Sequence, residues 1–301
     1  MPSSHLRSHF ASSVASFTVA VGLVACSSAP NEKGAAAGKI LLNGDVHSNI
    51  YGFDLGSGAT TKIVAGADPF RTPEGTILCV NTNTQDLGEY SADGTQFRVI
   101  VKANDQQPFD QTYDDHFQNP QLSPDGKYVV YEGQLGYTFD IYVVDRGSGQ
   151  LLAGVNPPQV GVGYVRPTWT PDNRLVVAGG TRNSGLYLSD ATWTHFTRFD
   201  QNLAAPDQPA VSPDGKTVAF VMNGHVFTVA TDGTGVTQVT QSSGQESWPT
   251  WSPDGAQLLL YTDTSIQVVA FGGAGTPLDL KTLNDNFVVF TATHSGQMSW
   301  R

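Results

Sequence analysis

The chain has 301 residues, 39% hydrophobic, 10% aromatic and 14% charged, a globular composition rather than a disordered one. Its 16 Lys and Arg against 27 Asp and Glu give a net charge of −11, which excludes the broad positive field that nucleic-acid binding requires. With 32 Gly and 17 Pro, it is too rich in turn formers for long helices and points to an all-β fold.

Residues 1–7 are polar with one Arg, and residues 10–25 are free of charge and end Leu23-Val24-Ala25-Cys26. That pattern predicts a cleaved export signal, because the apolar run is shorter than the ~20 residues of a spanning helix. The Leu-Val-Ala-Cys string resembles a bacterial lipoprotein box. The resemblance implies a signal peptide over 1–25 and a diacylglycerol on Cys26, the mature N-terminus. Ser27 in place of Asp resembles an outer-membrane sorting signal in a Gram-negative envelope. Residues 26–39, rich in Ser, Ala and Gly, read as a flexible linker. The only other cysteine, Cys79, sits in the apolar run Ile77-Leu78-Cys79-Val80, which predicts a buried, inert thiol and no internal disulfide.

From residue 40 onward the chain repeats. The string P-x-x-[ST]-P-[DE]-[GN] starts at Pro69, Pro120, Pro167, Pro209 and Pro249, in steps of 51, 47, 42 and 40 residues. Each copy is followed by a β-rich run: residues 76–80, 127–131, 174–177, 217–221 and 257–261. Second runs follow at 140–144, 186–188, 225–229 and 266–271, and Gly-rich turns such as Asp232-Gly233-Thr234-Gly235 lead to a third. In each anchor the second Pro presets φ and Gly or Asn supplies a positive φ, so the string predicts a hairpin turn. Its first Pro is expected to mark a strand start. Residues 40–43, 49–55 and 61–64 reproduce the last three strands of one unit without an anchor before them. The missing strand is expected from the C-terminus, from Gly296-Gln297-Met298-Ser299-Trp300, which echoes Gly244-Gln245-Glu246-Ser247-Trp248, or from residues 287–291. The sum is an all-β, six-bladed β-propeller of four-stranded antiparallel blades over 40–301, about 44 residues per blade, closed by a C-terminal strand.

Ser123-Pro124-Asp125-Gly126, Ser212-Pro213-Asp214-Gly215 and Ser252-Pro253-Asp254-Gly255, with Trp169 and Trp251 directly before the Thr or Ser, resemble the repeats of TolB-like six-bladed propellers. These repeats are similar to WD repeats. The resemblance implies export to the periplasm and a role in protein contacts.

Motifs of several enzyme classes are absent from the sequence: G-x-S-x-G, His-Glu-x-x-His, paired C-x-x-C, a Walker loop and an EF-hand loop. What remains is the channel mouth, where the loops entering the innermost strands meet the hairpins between second and third strands. Asp68, Asp114, Asp115, His116, Asn119, Arg166, Asp207, Gln208, Glu246, His294 and Gln297 fall in the first set, and His47 and His225 in the second. Oxygen donors with imidazoles are a composition compatible with a divalent cation or a polar ligand. No other cofactor is expected. Long acidic sequence over 103–115 and uncharged sequence over 153–164 read as enlarged loops. The expected function is non-catalytic: a monomeric, lipid-anchored envelope propeller that binds an envelope protein or ligand on one face, on the periplasmic side. The alternative is a metal-dependent polysaccharide lyase or hydrolase at the channel mouth, which requires His116 and His294.

Overall fold

The computed structural model describes residues 38–43, 49–103, 117–135, 138–155, 163–180, 182–263, 265–272, 278–279 and 298–301. Residues 1–37, and with them the signal, Cys26 and most of the linker, lie outside the described residues, as do 104–116, most of the second enlarged loop and 287–291. The described residues carry strands and no helix.

The chain starts in β1 (Lys39–Asn43), β2 (Asn49–Asp54) and β3 (Thr60–Ala65), which are the outer three strands of blade I. Blade II follows as β4 (Ala67–Arg71), β5 (Ile77–Val80), β6 (Leu87–Tyr90) and β7 (Phe97–Val101). Blade III is β8 (Phe117–Leu122), β9 (Tyr128–Leu135), β10 (Thr138–Asp145) and β11 (Leu151–Val155). Blade IV is β12 (Tyr164–Trp169), β13 (Leu175–Gly179), β14 (Leu186–Ser189) and β15 (Phe196–Arg198). Blade V is β16 (Asp207–Val211), β17 (Thr217–Met222), β18 (His225–Ala230) and β19 (Thr237–Gln238). Blade VI is β20 (Glu246–Trp251), β21 (Gln257–Thr262), β22 (Ile266–Ala270) and β23 (Leu278–Asp279). The last strand, β24 (Ser299–Trp300), returns to pair with β1, so six four-stranded antiparallel sheets close a propeller ring.

The core follows from this arrangement. Second strands such as β5 are buried along their whole length because each blade packs on two neighbours, whereas the outermost β3 begins with three exposed residues. Six apolar clusters result, one between each pair of neighbouring blades. Phe53 and Trp193 belong to them, as blade packing predicts, and Cys79 is a free, fully buried thiol whose pKa burial pushes up. Two tryptophans also stitch blades together: Trp169 Nε1 donates to the Gln121 carbonyl at 3.2 Å and Trp251 Nε1 to the Ala210 carbonyl at 2.9 Å.

The anchor forms the expected turn. In Ser212-Pro213-Asp214-Gly215 the Gly215 N–H donates to the Ser212 carbonyl at 2.9 Å, and Ser212 Oγ donates to Asp214 Oδ1 at 2.7 Å. Gly215 has φ of +72°, and in the anchor that carries Asn instead, Asn173 has +62°, a conformation Asn tolerates.

One expectation is corrected. The first anchor Pro does not start a strand: Pro69, Pro120, Pro167, Pro209 and Pro249 lie inside β4, β8, β12, β16 and β20, each at a register shift against the next strand. A bulge tolerates the missing N–H, so proline is accommodated there without losing a ladder bond. The expected closure by the C-terminal segment holds, and the pairing gives its register. Trp300 pairs with Ile40 as Trp251 pairs with Leu258, so Trp300 is the counterpart of Trp251 and not of Trp248. Lys39 N–H donates to the Arg301 carbonyl, Arg301 N–H returns to the Lys39 carbonyl at 3.0 Å, and Ser299 Oγ accepts the Arg71 N–H at 2.9 Å, which ties the closing strand to blades I and II.

Candidate functional site

The bulges build the channel mouth. The residue before each of the five prolines has a positive φ: Asp68 +53°, Asn119 +50°, Arg166 +55°, Gln208 +52° and Trp248 +53°. Such a conformation costs a non-glycine residue on the order of 1–3 kcal/mol and is rarer still before proline. Hydrogen bonds from one blade to the next hold it. Asn43 Oδ1 accepts the Asp68 N–H at 2.8 Å while its amide donates to Asp68 Oδ1 at 3.0 Å. Asp68 Oδ2 accepts the Asn119 N–H at 3.2 Å, and Asn119 Nδ2 donates to Glu132 Oε1 at 2.5 Å. Farther round, Gln208 Oε1 accepts the Trp248 N–H at 2.6 Å.

Arg166 is the centre of this ring. Its Nη1 donates to both oxygens of Glu132 at 3.3 Å, its Nε stands 4.0 Å from Asp207 Oδ1, and its guanidinium lies 4.9 Å from the Trp248 ring centroid. Burial opposes the guanidinium charge, but the attraction of Glu132, Asp207 and Asp68 outweighs it and holds its pKa above the ordinary value. Glu132 is almost fully enclosed, and burial pushes its carboxyl up despite Arg166 and Asn119. The Tyr261 hydroxyl, buried without a hydrogen-bond partner, is held in its neutral form by burial and by the nearby Asp68 charge.

The predicted site residues therefore separate by accessibility. Arg166 and Asp207 come together with side chains 27% and 46% exposed, so these are the charges a partner can reach. Asp68 and Glu246 were expected in the loops entering the innermost strands, yet both are buried strand residues with their oxygens engaged. Glu246 receives Ser242 Oγ, Thr240 Oγ1 at 2.9 Å and His225 Nδ1 at 2.9 Å, joining blade V to blade VI. Asp114, Asp115, His116 and His294 lie outside the described residues, together with His47 and Gln297. Among the described residues no group of three or more metal-ligating side chains is assembled. Sequence reasoning missed Asn43, Glu132, Trp248 and Tyr261. Trp248 was within reach, since it precedes Pro249 as Arg166 precedes Pro167; Glu132, inside β9, carried no signal.

No family model matches the sequence. Among solved structures, TolB from Acinetobacter baumannii is similar over 89% of this chain and 67% of that one, with 17% identity and a TM-score of 0.67. A putative TolB from Agrobacterium tumefaciens matches 79% of this chain and 89% of its own, with 20% identity and a TM-score of 0.62. The fold is that of a TolB-like six-bladed β-propeller. A chain of the nidogen/laminin complex shares the architecture at 11% identity, covering 87% of this chain and 97% of that one, with a TM-score of 0.63.

Proposed function

We propose that this TolB-like chain is a monomeric binding propeller of the bacterial envelope, lipid-anchored through Cys26 and facing the periplasm, that engages a protein partner at its channel mouth. The observation that carries the reading is the accessible Arg166–Asp207 pair, backed by Trp248 and fixed from behind by the buried Asp68, Asn119 and Glu132. Fixed polar groups at one rim, with one cation, one anion and an aromatic face, suit a polypeptide, which offers both charges and backbone amides. Rigid strand residues rather than loop tips hold these groups, so little conformational entropy is lost on binding. Similarity to TolB structures supports an envelope setting.

The test is photo-crosslinking in intact cells with benzoylphenylalanine at position 207, and at position 216 on the opposite, turn-bearing face. One discrete protein adduct at 207 and none at 216 is the expected result. Adducts at 216 without any at 207 would overturn the assignment of the binding face.

A further inference from the structure

The other end of the channel, on the face of the proline turns, holds a cavity of about 380 Å³. Each blade contributes one large apolar side chain to it: Trp300, Phe70, Leu122, Trp169, Val211 and Trp251. That volume is at the lower end of the ~300–1,000 Å³ usual for small-molecule pockets. The wall offers few free hydrogen-bonding groups. Trp169 Nε1 and Trp251 Nε1 are spent on inter-blade carbonyls, and Thr250 Oγ1 donates to the Met298 carbonyl at 3.4 Å. The rim is made of the exposed turn prolines, whose fixed φ keeps the opening preformed.

The acids nearest this bowl sit on the turns outside it: Glu74, Asp125, Asp172, Asp214 and Asp254 each follow a rim proline, and their carboxylates are engaged by Arg146 or by the Ser or Thr of their own turn. Among the described residues no Asp or Glu lines the cavity itself, and its one charged lining residue is Arg301. Arg301 Nε donates to the Arg71 carbonyl at 3.3 Å, and the guanidinium lies 5.7 Å from the Phe70 ring centroid. No carboxylate ion-pairs with Arg301 among the described residues. Glu74, the acid whose charge it feels, is bound to Arg146 at 3.5 Å. Beside it, Arg71 Nε is buried with no partner and Arg71 has no carboxylate counter-ion among the described residues. Burial lowers the pKa of both guanidiniums, as expected for cations left without an anion.

We propose that this bowl is a second binding site, for a small amphipathic monocarboxylate whose apolar body fills the cavity and whose carboxylate sits on Arg301. With Nε committed to the backbone, the two terminal nitrogens of Arg301 form the fork that matches a carboxylate bidentately. The apolar wall selects against ligands carrying further charges, since each would be desolvated without a partner. The site is independent of the channel mouth and takes a small molecule rather than a polypeptide.

The experiment is a titration of the purified full chain with 2-naphthoate and with its cationic counterpart, 2-naphthylmethylammonium, followed by quenching of tryptophan fluorescence and by calorimetry. Naphthoate is expected to saturate at one per chain and to bind roughly tenfold or more tightly than the ammonium compound. Arg301→Gln should erase that preference while leaving the melting temperature close to wild type, and Val211→Phe, which fills the bowl, should weaken both ligands. Absence of saturation, equal affinity for the two charges, or a preference for naphthoate that survives Arg301→Gln overturns the proposal. So does naphthoate binding lost on Arg166→Leu and kept on Arg301→Gln, which would place the anion at the opposite mouth. If Val211→Phe fails to fold, Arg301→Gln alone decides.

Discussion

Replacing Arg166 by Leu removes the cation from an almost wholly enclosed carboxylate. Glu132 is 1% exposed, and of its three hydrogen bonds to side chains here, two come from Arg166 Nη1 and one from Asn119 Nδ2. Deleting one partner of a buried pair costs about 3–5 kcal/mol, because the remaining charge stays desolvated. Loss of the guanidinium over Trp248 adds about 0.5–1 kcal/mol. Leu and Arg both carry Cβ, so the φ of +55° adds no difference between them. The assay is urea unfolding of wild type, Arg166→Leu, Glu132→Leu and the double variant, monitored by circular dichroism. The double variant should recover most of the loss, since neither charge then remains buried. The pH dependence has a definite sign. With Arg166 gone, the folded pKa of Glu132 rises further above its ordinary 4.5, so the folded state keeps a proton that the unfolded state has released. Stability of Arg166→Leu therefore falls as pH rises between the unfolded and folded pKa values, by up to about 1.4 kcal/mol per pH unit, and recovers on acidification. A loss below about 1 kcal/mol at neutral pH, or a double variant no more stable than Arg166→Leu, would refute the argument.

Trp300→Ala should cost about 3–5 kcal/mol in a urea midpoint, because the ring is 4% exposed and packs with Ile40, Leu42, Leu259 and Tyr261 across the closure of the ring; a loss under about 1 kcal/mol would mean the closure is not held by this strand. Glu89 accepts Arg146, Arg98 and Thr76; burial pushes its carboxyl up, but these donors outweigh it and hold the pKa below 4.5. Its stabilisation is thus fully present above pH 4.5 and is lost as pH falls through the lowered folded value. The gap to Glu89→Gln, about 1–3 kcal/mol at neutral pH, should close in acid, and a constant gap from pH 7 to 3 would sink the assignment. Cys26→Ser should abolish detergent-phase partitioning and incorporation of labelled fatty acid; unchanged partitioning would refute lipidation at Cys26.

The propeller was legible because its signal is repetitive and local. Five anchors at near-even spacing name the turns, and a turn is fixed by the φ preferences of Pro, Asp and Gly within seven residues. Ring closure was legible only in part. Ser299 and Trp300 form the missing strand, but its register is set by contacts with Ile40 and Leu41 that lie about 260 residues away, so the local echo of Gly244–Trp248 does not supply it. The site was legible at the positions that precede a proline. It was not legible at Asn43, Glu132 and Tyr261, which reach the channel from second strands, where no motif distinguishes a buried polar residue from its apolar neighbours. Nor does a sequence position separate a reachable charge from a spent one. Asp68 and Asp207 look alike, yet the first is enclosed by Asn43 and Asn119 and the second is 46% exposed.

One device links the fold to both ends of the channel. The first proline of each anchor cannot donate to the ladder, which makes a bulge the compatible local structure and puts the preceding residue into the left-handed region. Four residues later the second proline opens the turn and frames the lower bowl. The prolines and turn residues are constant because the turn chemistry requires them. The residues between and before them are not so constrained, which is why the upper ring reads Asp, Asn, Arg, Gln, Trp and the lower bowl Trp, Phe, Leu, Trp, Val, Trp. A propeller of this kind changes its ligand by exchanging those positions while keeping the strain at each bulge and the hydrogen bonds that offset it. Chemical specificity therefore resides in the residues that the repeat leaves variable, and the invariant ones hold them in place.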